Sequence, residues 1–187
     1  LTNILLAIGI SSQFAVPLKK IQSAVARLCL PRGRGQILKI GTHLLVDDSY
    51  NANPESMDAA LNRIRTMTRY LDGGAGRARR DVVLILGDML ELGGRTSVFH
   101  SNLGMQAQKM LRPWRILYIG KYAGHFRRGF SRAGGGADHL VSAGSLDDAT
   151  GQVRVWMNSS KKLLMLAKAS HEIRLDKFVD SICQNPS

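Results

Sequence analysis

Beyond residue 35 the chain alternates short β-rich runs with amphipathic helical stretches, and this alternation constrains the fold more than any other feature. Ile37 to Ile40 and His43 to Asp47 flank Gly41-Thr42 as a hairpin, and Val82 to Leu86, Ile116 to Ile119, His139 to Val141 and Leu163 to Ala167 read as further strands. Between them run helical stripes: Met57, Leu61, Ile64, Thr68 and Leu71; Phe99, Leu103, Ala107 and Met110; Tyr122 to Phe130; Leu146, Ala149, Val153 and Trp156; and finally Leu175, Phe178, Val179 and Ile182. Asn53 and Pro54 suit the cap and first turn of one helix, and Ser145 with Asp148 a capping arrangement for another. Parallel strands need crossover helices, so the pattern predicts an α/β fold: a doubly wound, mostly parallel sheet covered on both faces.

Two shorter helices precede it. One runs from about Asn3 to Ile10, and one opens at Pro17 with Leu18, Ile21, Val25 and Leu28 on one side. Pro31-Arg32-Gly33-Arg34-Gly35 then interrupts any periodicity, which places a domain boundary between residues 1–32 and 33–187. Leu1 in place of an initiator Met, followed at once by a helical run, suggests a chain that begins inside a larger protein. Ile4 to Ile10 is far short of the ~20 residues that span a bilayer, and no membrane insertion is expected. Cys29 and Cys183 fit no disulfide framework or metal spacing and are read as small core residues of a reducing compartment.

Lys and Arg total 26 against 14 Asp and Glu, a formal net charge of +12 that attracts anions without choosing among nucleotides, acidic metabolites, nucleic acid and anionic lipid. No Gly-x-x-x-x-Gly-Lys-Ser/Thr run occurs, so the chain lacks a triphosphate-holding P-loop. Gly73-Gly74-Ala75-Gly76-Arg77 is glycine-rich but follows a helix, whereas a phosphate loop follows a strand. The five histidines have no metal-ligand spacing and read as surface or supporting residues. Met89, Met105 and Met110 read as core filler. Arg77, Arg79, Arg80, Arg127, Arg128 and Arg132 lack the aromatic or recognition-helix context of a nucleic-acid motif, and a solvated basic face is expected.

Ligands of open α/β sheets bind beyond the carboxyl ends of the strands, so the residues there carry the functional reading. Asp48 has the chemistry to accept hydrogen bonds from ribose hydroxyls, or only to satisfy a turn, and Asn51 can donate and accept beside it. Asn53 reads as a cap. Asp88 and Glu91 suit a substrate amine or cation, or a helix dipole. Lys168 and Ser170, at the handover from a strand to a helix, suit a carboxylate or phosphate. This requires the turns after residues 47 and 167 to open onto one cleft.

Asp47-Asp48-Ser49-Tyr50-Asn51-Ala52-Asn53-Pro54-Glu55-Ser56-Met57 followed by Ala59-Ala60-Leu61 resembles the C-terminal domain of Mur ligases, specifically those of MurF type. Leu86-Gly87-Asp88-Met89-Leu90-Glu91-Leu92-Gly93 with His100 and Gly104 is similar to that family's second signature, Gly33-Arg34 to its domain junction, and Asn3 with Leu6-Ala7 to the tail of its central ATPase domain. The resemblance implies a Rossmann-like C-terminal domain behind a helical tail of the ATPase domain. It also implies ATP-dependent amide synthesis in cytoplasmic peptidoglycan assembly, joining D-Ala-D-Ala to UDP-MurNAc-tripeptide through an acyl phosphate, in a monomeric enzyme. ATP and Mg2+ would be held mainly by the central domain. The C-terminal domain would close over the nucleotide, working with the protein's own N-terminal and central domains. Carried over, Arg34, Asp48 and Asn51 would bind nucleotide, Asp48 through the ribose, while Lys168 and Ser170 would help bind the dipeptide or fix the site's edge; no residue is assigned as catalyst and none as metal ligand. On this reading Asp48→Ala weakens ATP binding and leaves the fold intact.

Two departures stand out. Lys168-Ala169-Ser170-His171 replaces the family's usual Lys-Gly-Ser-Arg, which would restrict the backbone beside a ligand and remove a bidentate donor, and Leu175-Asp176 replaces Met-Glu. The alternatives are a degenerate Rossmann-like binding or scaffold module without ligase activity, and a basic nucleic-acid-binding domain.

Overall fold

A computed structural model describes residues 2–28, 30–72, 79–160 and 162–184. Cys29, the Gly73 to Gly76 loop and Arg77 lie outside the described residues. The chain divides into two units, Leu1–Pro31 and Arg32–Ser187.

The first unit is a pair of helices, α1 (Thr2–Gln13) and α2 (Leu18–Ala26), with Pro17 as N-cap of the second. Only Ile21 is buried among its described hydrophobic side chains. The expected stripe of Leu18, Val25 and Leu28 is exposed instead, because two helices have no third layer to cover it.

The second unit is built on a six-stranded sheet in the order β1-β2-β6-β3-β4-β5. The strands are β1 (Gln36–Ile40), β2 (His43–Asp47), β3 (Asp81–Gly87), β4 (Arg115–Ile119), β5 (Leu140–Ala143) and β6 (Leu163–Lys168). All pairings are parallel except the β1–β2 hairpin. The helices are α3 (Pro54–Asp72), α4 (Thr96–Leu111), α5 (Ala123–Arg132), α6 (Leu146–Ser159) and α7 (Leu175–Gln184).

Side-chain alternation along each strand splits the core between the two faces. Leu84, Leu86, Ile116, Tyr118, Leu164 and Leu166 pack against α3, α4 and α5. Val83, Ile85, Leu117, Met165 and Ala167 pack against α6 and α7. The doubly wound α/β reading therefore holds, and the apolar runs Val82 to Leu86 of β3 and Leu163 to Ala167 of β6 are buried because both faces of these central strands are covered.

Caps set the helix starts. Asn53 Oδ1 accepts the Ser56 N–H at 2.8 Å while Ser56 Oγ accepts the Asn53 N–H at 3.0 Å, a reciprocal cap ahead of Pro54. Ser145 Oγ accepts the Asp148 N–H at 3.1 Å. Cys183 is exposed, contrary to its reading as a core residue, because the buried face of α7 is formed by Leu175, Phe178, Val179 and Ile182. Among the described residues, no helix is long and apolar enough to cross a membrane.

Candidate functional site

The insertion of β6 between β2 and β3 creates the site. Parallel pairing sets Asp47 opposite Ala167, and the Asp48 N–H continues the ladder by donating to Ala167 O at 3.0 Å. The next residue on each strand is therefore a neighbour of the other: Lys168 Nζ lies 2.6 Å from Asp48 Oδ2 and donates to Asn51 O at 2.9 Å. The lysine side chain is 3% exposed and that of Asp48 24%. The turns after β2 and β6 thus meet, and the charge of each residue is engaged by the other.

Asp47, which sequence reasoning passed over, anchors the loop that carries Arg34. Its Oδ2 accepts the Gly33 N–H at 3.2 Å, and its Oδ1 accepts the Ser49 N–H at 3.2 Å and the Ser49 hydroxyl at 2.6 Å. Tyr50 N–H donates back to Gly33 O at 3.1 Å. Gly33 has φ +70°, and a Cβ there would stand 2.9 Å from Tyr50 N, so the close approach requires glycine. Arg34 is exposed, with its guanidinium carbon 3.8 Å from the centre of the Tyr50 ring. The His171 ring approaches Tyr50 at 5.8 Å.

Gly33, Arg34, Asp48, Tyr50 and Lys168 border a cavity of about 350 Å³ with Asn51, the start of α3, and Arg63. Arg63 was not singled out from the sequence, although Ser56, Ala59, Ala60 and Arg63 fall on one helical face and all line the cavity. The cleft thus offers two guanidiniums, an aromatic shelf and a partly exposed carboxylate. Together these suit a ligand with anionic groups, a planar ring and hydroxyls.

Of the five residues expected at the site, Arg34, Asp48, Asn51 and Lys168 border this cavity. Ser170 borders an adjoining cavity of about 300 Å³ with Glu91, His171 and Glu172. Its buried hydroxyl accepts the Leu90 N–H at 2.8 Å, bracing the turn after β3. The Asn51 side-chain oxygen accepts the Ala52 N–H at 2.8 Å.

Three expectations change. Ala169 is fully buried beneath Gly87 in the α6–α7 layer, so its methyl does not restrict the backbone beside a ligand. Asp48 is the ion-pair partner of a buried ammonium, so Asp48→Ala does not leave the fold untouched. Asp88 is buried and engaged rather than open to a substrate amine: it is 2% exposed, and its carboxylate accepts the Lys121 N–H at 2.9 Å and the Tyr122 N–H and Tyr118 hydroxyl at 3.1 Å. It caps the start of α5, where a negative charge also meets the positive end of the helix dipole. Burial, followed by the Asp88 charge, pushes the Tyr118 pKa up and keeps the phenol a donor.

Two histidines read as surface or supporting residues are buried acceptors. His100 Nε2 accepts the Met89 N–H at 3.0 Å, with Nδ1 at 2.7 Å from Thr96 O, and His43 Nδ1 accepts the Leu163 N–H at 3.1 Å. Burial is the first cause lowering the pKa of both. Among the described residues, no group of three His, Cys, Asp or Glu could hold a metal ion.

Comparison with known proteins agrees with this architecture. The UDP-N-acetylmuramoyl-tripeptide–D-alanyl-D-alanine ligase of Escherichia coli (strain K12) is 27% identical over 186 residues, 99% of this chain and 37% of the relative. The Bacillus subtilis (strain 168) ligase of the same name is 27% identical over 192 residues, 98% of this chain and 38% of the relative. The chain thus spans little more than a third of the length of these relatives. A crystal structure of MurF from Acinetobacter baumannii superposes with a TM-score of 0.81 at 22% identity, over 98% of this chain and 37% of that one. The MurF ligase of Thermotoga maritima in complex with ADP does so with a TM-score of 0.64 at 20% identity, over 86% and 33%. The sequence pattern of the Mur ligase, glutamate ligase domain matches residues 33–153, the stretch that holds the Gly33 loop, the Asp48 turn and the Asp88 cap, and the chain belongs to that family.

Proposed function

We propose that this chain is the nucleotide-closing and substrate-binding C-terminal part of an ATP-dependent ligase that adds D-Ala-D-Ala to UDP-MurNAc-tripeptide in cytoplasmic peptidoglycan synthesis. The observation that carries the reading is the junction of Asp48, Asn51 and Lys168 beside Arg34 in one cleft at the carboxyl ends of β2 and β6. Arg34 and Arg63 supply charge-assisted donors for phosphate oxygens, Tyr50 a ring face, and the exposed part of Asp48 an acceptor for a hydroxyl. Lys168 acts through Asp48: by neutralising and fixing the carboxylate it sets where that acceptor points. Ser170 holds the Leu90 turn beside it, and the adjoining cavity, with Glu91 and Glu172 for an ammonium group, is the place for the dipeptide. Magnesium, where the reaction uses it, would take its ligands outside the described residues.

On the same reading, residues 1–32 are the tail of the central ATPase domain. Its exposed apolar side chains support this: Leu5, Leu6, Ile10, Phe14 and Leu18 are each more than half exposed, a surface that a further layer of helix or sheet would bury.

Phosphate release by the complete protein tests the proposal. Release from ATP should require UDP-MurNAc-tripeptide and D-Ala-D-Ala together, and Arg34→Ala should raise the KM for ATP. Release that ignores both substrates, or none when both are present, would replace this reading with a binding module that has lost ligase activity.

A further inference from the structure

The opposite rim of the same sheet carries a second cleft that the ligase reading leaves without a role. It lies where α3 and α4 end and β3 begins, and has a volume of about 730 Å³. Arg65, Arg69, Arg79, Arg80 and Arg112 line it, over a floor that includes Val82, Met110, Leu111 and the half-buried Trp114. Asp81 is the only acid among the lining residues, and its Oδ2 already accepts the Ser160 hydroxyl at 3.1 Å.

Arg80 is tied down by Thr42 O at 2.7 Å and Leu163 O at 3.3 Å, which fixes its guanidinium at the edge of the sheet. Arg65, Arg69, Arg79 and Arg112 make no ion pair among the described residues. Helix dipoles account for part of the cluster: Arg69 sits in the last turn of α3, and Arg112 is the C-cap of α4. The dipole fades within one turn, so it gives no reason for Arg65, further inside α3, or for Arg79 on the approach to β3. Like charges crowded around a cleft with apolar walls repel one another and focus their field into it. All five cations are arginine, whose planar fork pairs with phosphate oxygens in a bidentate way that lysine cannot reproduce.

We propose that this cleft is a second anion site, taking a ligand with clustered phosphoryl groups, whether free in solution or carried on a lipid headgroup. A concavity of this size suits a compact oligoanion, and the wall of α3 and α4 around it does not form the open stripe that a nucleic-acid strand follows.

Trp114 reports on the site directly, since it lines the cleft, whereas Trp156 does not and is 5% exposed. The test is a fluorescence titration of the intact protein at low salt with inorganic tripolyphosphate, with vesicles of phosphatidylcholine with and without phosphatidylinositol bisphosphate, and with a single-stranded oligonucleotide. A saturable response to tripolyphosphate that Trp114→Phe abolishes, that the Arg65→Gln/Arg79→Gln variant weakens by about tenfold or more per arginine, and that Asp48→Asn leaves in place supports the proposal. A response confined to the phosphatidylinositol bisphosphate vesicles and lost in the double arginine variant supports it with the lipid as source. A response to oligonucleotide alone, a signal unchanged in the double arginine variant, or no saturable response overturns it. Circular dichroism of that variant, whose substitutions remove no described hydrogen bond, confirms that any loss is not unfolding. Because Asp48→Asn tests the other rim, failure here leaves the ligase reading standing, and the converse holds.

Discussion

Removing either partner of the Asp48–Lys168 pair should cost unequal amounts, and the inequality follows from burial. In Asp48→Ala the ammonium, 3% exposed, stays inside with only Asn51 O at 2.9 Å as acceptor. An uncompensated buried charge of this kind costs ~3–5 kcal/mol. In Lys168→Met the orphan is a carboxylate to which water already has access, its side chain being 24% exposed, so the cost falls to ~1–3 kcal/mol. At ~2–4 °C per kcal/mol for a chain of this size, the two variants should lose ~6–20 °C and ~2–12 °C of melting temperature. Urea titrations followed by circular dichroism on both variants and on the double variant measure the coupling. Once Lys168 is gone the loss of Asp48 should add little, so the pair should couple by nearly the whole Asp48→Ala cost, ~3–5 kcal/mol. Additive effects, or an Asp48→Ala cost under ~1 kcal/mol, would refute the claim that this pair fixes the turn. Lys168 would then be free to meet a ligand by itself.

Two further outcomes follow from buried contacts. His43 and His100 have pKa values lowered by burial, so below pH ~6.5 the unfolded chain binds more protons than the folded one and stability falls as the pH drops. The urea midpoint should be flat above neutrality and decline between about pH 6.5 and 5, before most carboxylates titrate; a midpoint constant across that window would contradict the neutral, N–H-accepting state of both rings. Gly87→Ala would bring a methyl to 2.8 Å from Ala169 Cβ and 2.9 Å from Ile119 O, an overpacking that should cost ~1–3 kcal/mol. Adding Ala169→Gly should recover part of that loss in thermal melts, and no recovery would mean that the Ile119 carbonyl and Ile173 Cγ2, 3.1 Å from the added methyl, set the limit.

The layers of this fold were legible in the sequence because each element carries its own period: unbroken apolar runs for Val82 to Leu86 and Leu163 to Ala167, and stripes of three and four for α3 to α7. The order of the strands was not, since nothing local in Leu163 to Lys168 says that it inserts between β2 and β3. That insertion turns two polar turns 120 residues apart into an ion pair. One lapse was avoidable. Ala167 and Ala169 share a strand-like alternation with Met165, so Ala169 belonged to the α6–α7 layer and Lys168 to the opposite side, as period two alone requires. His43 and His100 were beyond such reasoning, because the backbone N–H that each accepts comes from a segment that only tertiary contact supplies.

The positive charge of the chain is not spread evenly over its sheet, and this bears on what each rim can do. At the carboxyl ends of the strands, Asp47, Asp48 and Asp88 hold backbone N–H groups or a buried ammonium, so selectivity there comes from how a few fixed groups are aimed. At the amino ends, four arginines face one cleft without a paired acid among the described residues. Binding at the first rim therefore turns on geometry as well as charge, because the Asp48–Lys168 pair is already neutralised and partly buried while Arg34 and Arg63 make no ion pair among the described residues. Binding at the second depends on an open field that salt collapses within a Debye length of ~8–10 Å. The net charge of +12 thus does not by itself say which rim is electrostatically driven. An aimed carboxylate and an uncompensated arginine cluster at opposite ends of one sheet are distinct devices, and the ionic strength at which each loses its ligand separates them.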